Sequence, residues 1–564
     1  MTQGLNTEET TDLLIGDLNA PEQRKRAFYA AFKANEARFD GQVFVGVSST
    51  GIYCRPVCRV HMPKYENCTF FRTAAEAEAA GYRPCMRCRP ELAPGAANVD
   101  AQKSLARRAA ALLRERCSTG ESVEALAAKL GYTDRHLRRA FEQEFGVTPV
   151  QYLQTCRLLL AKTLLTDTHI PVSQVASAAG FGSVRRFNAL FKERYRLTPT
   201  QLRTHGLPKR AHGGAAAAVS SGKGRSMRLE PGEGRRQVDQ QELSRNERRT
   251  TRQEPGTEEC RGTRRGLDAK GGCDAQLGIA FYLAYRPPYE FDRLLGFFRA
   301  RQLEGVEAVD EHSYTRTVRI TELAGWVRVE NDAARNRLAV RMSESLLPVI
   351  SQVAERIRRQ FDTDCDPQAV LEGIRSLDDA VPGAAVSGTR VPGAFDAFET
   401  AVRAVLGQQV SVQAANKLAA RIAEAYGTPV EFGMPGIARL FPAPEDFLAL
   451  DPIEDALGQL GVIRSRSRTI RELARLIVEG ELDLSPAASV SDQMERLLAI
   501  PGIGPWSANY IAMRTLGYTD AFLETDAGVK HALPDLSPKE RLALAEQWRP
   551  WRAYANLCLW NSLG

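Results

Sequence analysis

Residues 206–275 contain no Phe, Tyr or Trp, carry a Gly/Ala/Ser-rich run near their start and continue in mixed charge with many arginines. Such a stretch cannot bury enough apolar surface to offset its ordering entropy, so a disordered linker is expected there. The chain must then build its cores on either side of it. At ~150 residues per domain, a chain of 564 residues suggests three or four domains. A flexible tether would also leave the two halves without a fixed relative orientation.

Charge divides at the same place. Residues 1–275 hold 44 Lys+Arg against 30 Asp+Glu, and residues 276–564 hold 31 against 38. The first half has the basic excess of a nucleic-acid binder; the second needs a local patch to do the same. No basic-then-apolar leader and no apolar run of membrane-spanning length occurs, so a cytoplasmic protein without membrane contact is expected. The eleven cysteines agree with a reducing compartment, since only four of them cluster and the others show no disulfide rhythm.

Those four are Cys54, Cys58, Cys85 and Cys88. The Cys-x3-Cys and Cys-x2-Cys pairs can each place two sulfurs on one zinc ion. A closed four-thiolate cage is ordinarily structural. Charge opens a second possibility, because four thiolates on a dication leave the site at net −2 with Arg55, Arg59, Arg83, Arg87 and Arg89 nearby in sequence. These arginines would keep the sulfurs ionised and attract a phosphate backbone. A methylated phosphate is neutral and carries an electrophilic methyl that a zinc-bound thiolate can attack.

Between 122 and 200 the chain repeats itself. Residues 126–132 are echoed at 175–181, and residues 141–149, ending in Thr-Pro, at 191–199. Each unit reads as helix, glycine turn, helix, with apolar residues on one face. The second helices carry Arg135, His136, Arg138 and Arg139, then Arg185, Arg186 and Asn188. Side chains of this kind reach phosphates and base edges in a major groove; solvated helix faces are the alternative.

Beyond the linker, period-two alternation over 315–320, 325–330 and 337–342 predicts antiparallel strands, with a helix around 292–301. From about 395 the pattern is helical. Pro501-Gly502-Ile503-Gly504 is a turn between two helices, a helix-hairpin-helix pattern whose open N–H groups at Gly502 and Gly504 suit a DNA phosphate. A plain glycine turn is the alternative. Asp526 follows downstream, placed to cap a helix starting at Ala527. A carboxylate there also suits stabilisation of an oxocarbenium-like sugar. No lysine lies between Leu497 and Asp526, which argues against Schiff-base chemistry.

Three resemblances follow from these residues. Residues 43–59 and 80–90, around the four cysteines, closely resemble the Ada-type methylphosphotriester methyltransferase domain, which implies that Cys54 accepts the methyl irreversibly and that DNA affinity then rises. The repeat resembles the double helix-turn-helix of AraC-type regulators. Residues 279–564 resemble AlkA-type 3-methyladenine DNA glycosylase II, which implies Asp526 as catalytic carboxylate. It also implies that Trp506, Tyr510 and Trp560 form the aromatic pocket for a flipped base; ordinary core aromatics are the alternative. The Pro-Cys-His-Arg motif of the alkylguanine domain that usually follows Ada is absent. Gln409 stands where the best-known glycosylases carry a leucine wedge, and Thr525 where a second aspartate is common.

The expected architecture is multidomain and mainly α with α+β parts. It comprises a small zinc-bound α+β domain (20–95), an all-α double helix-turn-helix domain (100–205) and the linker (206–275). An α+β subdomain like the TATA-binding protein (276–385) and an all-α helix-hairpin-helix glycosylase domain (386–564) complete it. One Zn2+ is expected, and no cofactor for the glycosylase. The partner is double-stranded DNA, alkylated and promoter, with RNA polymerase beside it and the chain monomeric. The competing reading is a regulator whose C-terminal half binds DNA without catalysis.

Overall fold

The computed structural model describes residues 21–36, 39–58, 62–93, 105–206 and 278–563. The expected linker, 206–275, lies outside them but for Gly206, as does Arg59. Helix α1 (Pro21–Lys33) precedes a four-stranded sheet of β1 (Phe44–Val47), β2 (Ile52–Cys54), β3 (Cys68–Phe71) and β4 (Arg83–Pro84), in the order β3-β1-β2-β4. β1 and β2 form an antiparallel hairpin, with Gly51 at φ +63° in its turn. Helix α2 (Ala74–Ala79) lies between β3 and β4.

The repeat folds as two helix-turn-helix units joined by a long central helix. The first pairs α4 (Val123–Lys129) with α5 (Asp134–Phe145), after α3 (Leu105–Glu115). The centre is α6 (Pro149–Asp167), and the second unit pairs α7 (Val172–Ala178) with α8 (Val184–Tyr195) before α9 (Pro199–Gly206). Leu137 and Phe141 of α5 are buried as Phe187 and Phe191 of α8 are, so the 50-residue offset keeps the same inward positions. The repeated Thr-Pro-x-Gln closes the same cap twice: the Gln151 and Gln201 carboxamides each accept the backbone N–H of Thr148 and Thr198 at 2.9 Å.

After the gap, β5 (Ile279–Ala284), β6 (Glu307–Val309), β7 (Ser313–Ile320), β8 (Leu323–Asp332) and β9 (Arg337–Met342) make an antiparallel sheet in the order β5-β9-β8-β7-β6. Helices α10 (Phe291–Ala300) and α11 (Ile350–Gln360) share a core with it. The alternation over 315–342 thus folds as expected. The helical part contains α12 (Ala397–Leu406), α13 (Val412–Tyr426), α14 (Arg464–Val478), α15 (Val490–Ala499) and α16 (Pro505–Ile511). It ends with α17 (Ala527–Ala532) and α18 (Arg552–Asn561). Among the described residues, no helix is long and apolar enough to cross a membrane.

One expectation fails. The described residues on the two sides of 208–276 form a single compact unit rather than two halves of free orientation. The apolar core shows why: Leu158, Ala161 and Leu165 of α6 belong to the same cluster as Ile279 and Phe281 of β5. Burying such side chains contributes about 25 cal/mol per Å², a term that composition beyond the linker could not reveal.

The thiol-bearing sheet is fastened to α6 by buried charge. Lys162 is 0% exposed and donates to Glu91, while Arg89 forks onto Asp167 at 2.6 and 2.8 Å. Glu78 completes the seam, accepting from Tyr53 and Thr155, both at 3.1 Å. Burial pushes its carboxyl up to about 7, against the hydrogen bonds of Thr155 and Tyr53 and the charges of Arg194 and Lys162. The native carboxyl therefore holds its proton more tightly than the unfolded one. Its contribution, roughly 3 kcal/mol, is present below the ordinary carboxyl range and lost as pH rises through 7. The thermal midpoint should fall between pH 5 and 8, and Glu78→Gln should flatten that part of the profile; an unchanged profile would remove Glu78 from the seam's pH dependence.

Candidate functional site

Two clusters of chemistry-bearing side chains emerge. The first forms because Cys54 ends β2, Cys58 follows in a turn, and Cys85 and Cys88 follow β4, which pairs in parallel with β2. Their four sulfurs lie within 4.8 Å of one another. Zinc–thiolate bonds of about 2.3 Å in a tetrahedron set sulfurs about 3.8 Å apart, and Cys58 Sγ and Cys85 Sγ are 4.0 Å apart. Four thiolates this close repel one another unless a cation lies between them. The residues therefore fit a zinc ion.

The arginines around this cluster divide in a way the sequence does not show. Arg55 is buried: its guanidinium grips the Asp40 carboxylate and donates to the Cys88 carbonyl at 3.1 Å. Arg89 is held by Glu91 and Asp167. Both are committed to acids of the fold, which corrects the expectation that they attract phosphate. Arg87 is exposed. The Arg55 backbone N–H points at Cys88 Sγ at 3.3 Å, and the Cys88 N–H at Cys85 Sγ. Among the described residues no N–H is directed at Cys54 Sγ or Cys58 Sγ, although these are only 3% and 4% exposed and Cys88 is the most open of the four. Cys68 is buried beside the cluster and donates to the Lys64 carbonyl, outside the set of four.

The second site assembles at the start of α17. Asp526 caps that helix as expected, its Oδ1 accepting the N–H groups of Gly528 at 2.8 Å and Val529 at 3.4 Å. The same carboxylate accepts two indole N–H bonds, from Trp560 at 2.8 Å and Trp506 at 3.1 Å. Three elements, α16, α17 and α18, thus converge on one acidic group. Trp506 stacks on Tyr510 with centroids 5.2 Å apart and planes 9° apart. Trp560 stacks instead on Phe297 of α10, at 6.3 Å and 14°.

Several residues here lie beyond sequence reasoning. Phe297 and Arg301 come from the far side of the chain; the Arg301 guanidinium lies 3.8 Å over the Phe297 ring. Arg514 donates to the Tyr510 hydroxyl at 2.7 Å. Burial alone would push the Tyr510 phenol up, but the guanidinium groups of Arg514, Arg301 and Arg403 outweigh it and hold it below its ordinary value. Gly528 has no room for a side chain: an added Cβ would lie 2.6 Å from Trp560 Cδ1. Its only sequence signal is a glycine two residues after a helix cap.

Gly502, at φ +95°, sits in the exposed hairpin between α15 and α16, where an added Cβ would meet Thr469 Oγ1 at 2.3 Å. Gly504 faces open space. Gln409 is exposed in the left-handed region, at φ +55°. Its neighbour Gln408 donates to the Gly502 carbonyl at 2.8 Å and to Ser507 Oγ at 2.9 Å, and its carbonyl accepts from Arg466. This bracket ties the Gln409 loop to the hairpin. On the helix-turn-helix units, Arg135, Arg139, Arg185 and Arg186 are exposed, while Arg138 is bonded to Asp134 at 2.7 Å and to Glu124 at 3.3 Å.

Comparison with known proteins covers the same segments. The description "Metal binding domain of Ada" matches residues 27–91 and "Helix-turn-helix domain" residues 106–205. "AlkA N-terminal domain" matches 280–396, and "HhH-GPD superfamily base excision DNA repair protein" 402–548. The chain is 34% identical to the "Probable bifunctional transcriptional activator/DNA repair enzyme AlkA" of Mycobacterium tuberculosis (strain CDC 1551 / Oshkosh), over 95% of this chain and 96% of that protein. It is 38% identical to "DNA-3-methyladenine glycosylase 2" of Escherichia coli (strain K12), over 50% of this chain and 98% of the relative. With the "Bifunctional transcriptional activator/DNA repair enzyme AdaA" of Bacillus subtilis (strain 168) it shares 32% identity over 30% of this chain and 78% of the relative.

Removing one sulfur tests the first cluster. Cys58→Ser should lose bound zinc in metal analysis and lower the melting point of the sheet that carries the cluster; full zinc occupancy in this variant would break the four-sulfur assignment.

Proposed function

Because this chain belongs to the family of bifunctional transcriptional activator/DNA repair enzymes, we propose that it repairs alkylated DNA at two centres and regulates transcription through a third element. The division proposed is 20–95 for the methyl acceptor and 100–205 for promoter binding. Residues 276–385 and 386–564 form the glycosylase, with 206–275 as tether. The setting is the cytoplasm, and the partners are double-stranded DNA and RNA polymerase.

The observation that carries the glycosylase reading is the Asp526 carboxylate held by four N–H donors beside a DNA-facing hairpin. Its position is set before substrate arrives, so no reorganisation is needed when positive charge develops on the sugar. The hairpin glycines suit a phosphate, and Gln409, projecting from a braced loop, fills the space left by a flipped nucleotide. Trp506, Tyr510 and Trp560 offer ring faces to an electron-poor alkylpurine such as 3-methyladenine. An alkylated purine is already a good leaving group, so one carboxylate is sufficient and no metal or organic cofactor takes part. Water then completes a monofunctional hydrolysis, and no amine stands between Leu497 and Asp526 to trap the sugar.

At the other centre, zinc held by Cys54, Cys58, Cys85 and Cys88 keeps the sulfurs ionised. An accepted N–H bond stabilises a thiolate and lowers its nucleophilicity. Cys85 and Cys88 accept such bonds and, among the described residues, Cys54 and Cys58 do not, which favours the first pair; within it the resemblance to the Ada-type domain singles out Cys54 as acceptor of a phosphotriester methyl. The new S–CH3 bond replaces the O–CH3 bond, the phosphate regains its charge, and the thiolate becomes a thioether. Loss of one negative charge reduces repulsion of DNA, and the exposed arginines of α5 and α8, Arg135, Arg139, Arg185 and Arg186, then engage the promoter. Arg138, already paired, makes a smaller contribution.

Asp526→Asn should slow release of 3-methyladenine from alkylated DNA by roughly 100-fold or more and leave DNA affinity near wild type; unchanged release would reduce the C-terminal half to a binding module. For the acceptor, zinc-loaded protein incubated with methylphosphotriester DNA should gain a single methyl on the Cys54 peptide. A methyl on the more open Cys88 would reverse the assignment within the cluster, and none at all would make the site structural.

A further inference from the structure

The seam between residues 1–207 and 277–564 is built like an interface, although neither proposed reaction requires it. Arg286, at the end of β5, is 1% exposed. Its guanidinium donates across the seam to the Asp40 carbonyl at 3.0 Å and within its own half to the Asp364 carbonyl at 2.8 Å. Asp40 is the residue whose carboxylate holds Arg55 against Cys88. The seam therefore begins one residue's reach from the thiol cluster.

A second set of contacts lies along α3 and α11. Glu115 receives the Arg359 guanidinium at 2.9 Å, and Arg114 reaches Glu355 at 3.1 Å and Asp364 at 3.5 Å. Ser351 donates to the Glu115 carbonyl at 2.6 Å and lies 2.6 Å from Ser118 Oγ. Between these polar contacts, α6 packs on β5 in a shared apolar core. Ion pairs flanking an apolar centre, with no buried charge left unpaired in this set, are the anatomy of a specific protein interface.

Two further observations bear on its use. The two sides exist as separate proteins among the relatives: the Escherichia coli glycosylase matches half of this chain, and the Bacillus subtilis protein another 30%. Docking also covers neither DNA surface. Arg135, Arg139, Arg185 and Arg186 on one side, and Gly502, Gly504 and Gln409 on the other, are all exposed in the docked unit.

We propose that residues 277–564 carry a docking surface for a zinc-thiolate sensor joined to a double helix-turn-helix, so that the two halves stay together without a covalent link. The glycosylase is then held next to the sensor by complementary side chains, and the segment from 208 to 276 is dispensable for their association. A separate chain equivalent to residues 1–207 would occupy the same surface. This rests on the contacts alone and stands apart from either proposed activity.

The test uses the full-length, zinc-loaded chain with a specific protease site inserted between 208 and 276. After cleavage, the two fragments should co-elute in gel filtration at micromolar concentration. Arg359→Glu, which sets like charges opposite Glu115, should weaken association by roughly 100-fold or more. The exchange Arg359→Glu with Glu115→Arg should restore co-elution, which a general folding defect would not allow. Wild-type fragments that separate after cleavage, or an Arg359→Glu protein whose fragments stay together, would overturn the proposal.

Discussion

The Asp526 carboxylate is the constraint on which the C-terminal half depends. One oxygen closes the first turn of α17 and takes the Trp560 indole, while the other takes the Trp506 indole. A helix start, the helix after the hairpin and the last helix of the chain are thereby indexed to one atom pair. Charge-assisted bonds of this kind are about twice as strong as neutral ones. The geometry also excludes substitution nearby, since Gly528 must stay bare for Trp560 to reach the acid. Stacking then extends the order outward, from Trp506 to Tyr510 and from Trp560 to Phe297.

At the thiol cluster the organising group is Arg55 rather than a sulfur. Its side chain joins Asp40 to the Cys88 carbonyl, and its backbone N–H reaches the Cys88 sulfur. A buried guanidinium is tolerated because an acid and a carbonyl face it; removal of the acid would leave an uncompensated charge. The cost of burying arginine is offset at the place where the thiolates need a fixed frame. The same logic recurs where Arg89, Glu91, Lys162 and Asp167 join the cluster's loop to α6. The cluster's loop is thus carried on an ion-paired support, while Arg87 and the arginines Arg135, Arg139, Arg185 and Arg186 of α5 and α8 are left exposed.

The order in which the chain could be read follows from the range of the forces involved. Cys-x3-Cys and Cys-x2-Cys, the helix cap at Asp526, the hairpin glycines and the Thr-Pro-x-Gln caps are local, so their geometry is determined within a few residues. Alternation over 315–342 is likewise local and folds into β7, β8 and β9. The roles of Arg55 and Arg89 are not legible in the sequence, because proximity to the thiols says nothing about Asp40 or Asp167, which claim them. Phe297, Arg301 and Arg514 escape the sequence for the same reason: they meet the aromatic side chains around Asp526 from separate segments, with no linear pattern.

By itself the sequence determined the four-cysteine cluster, the double helix-turn-helix, the hairpin and the capping carboxylate, because each is built from short-range arrangements whose spacing is its own evidence. Tertiary structure alone decided that Cys85 and Cys88 accept N–H bonds, which arginines are claimed by acids of the fold, and how two indoles converge on Asp526. It also decided that the halves form one body. Shared apolar burial between α6 and β5 and the paired charges of α3 and α11 act across more than a hundred residues of chain. Such terms exist only once the chain is closed on itself, and no composition or spacing encodes them.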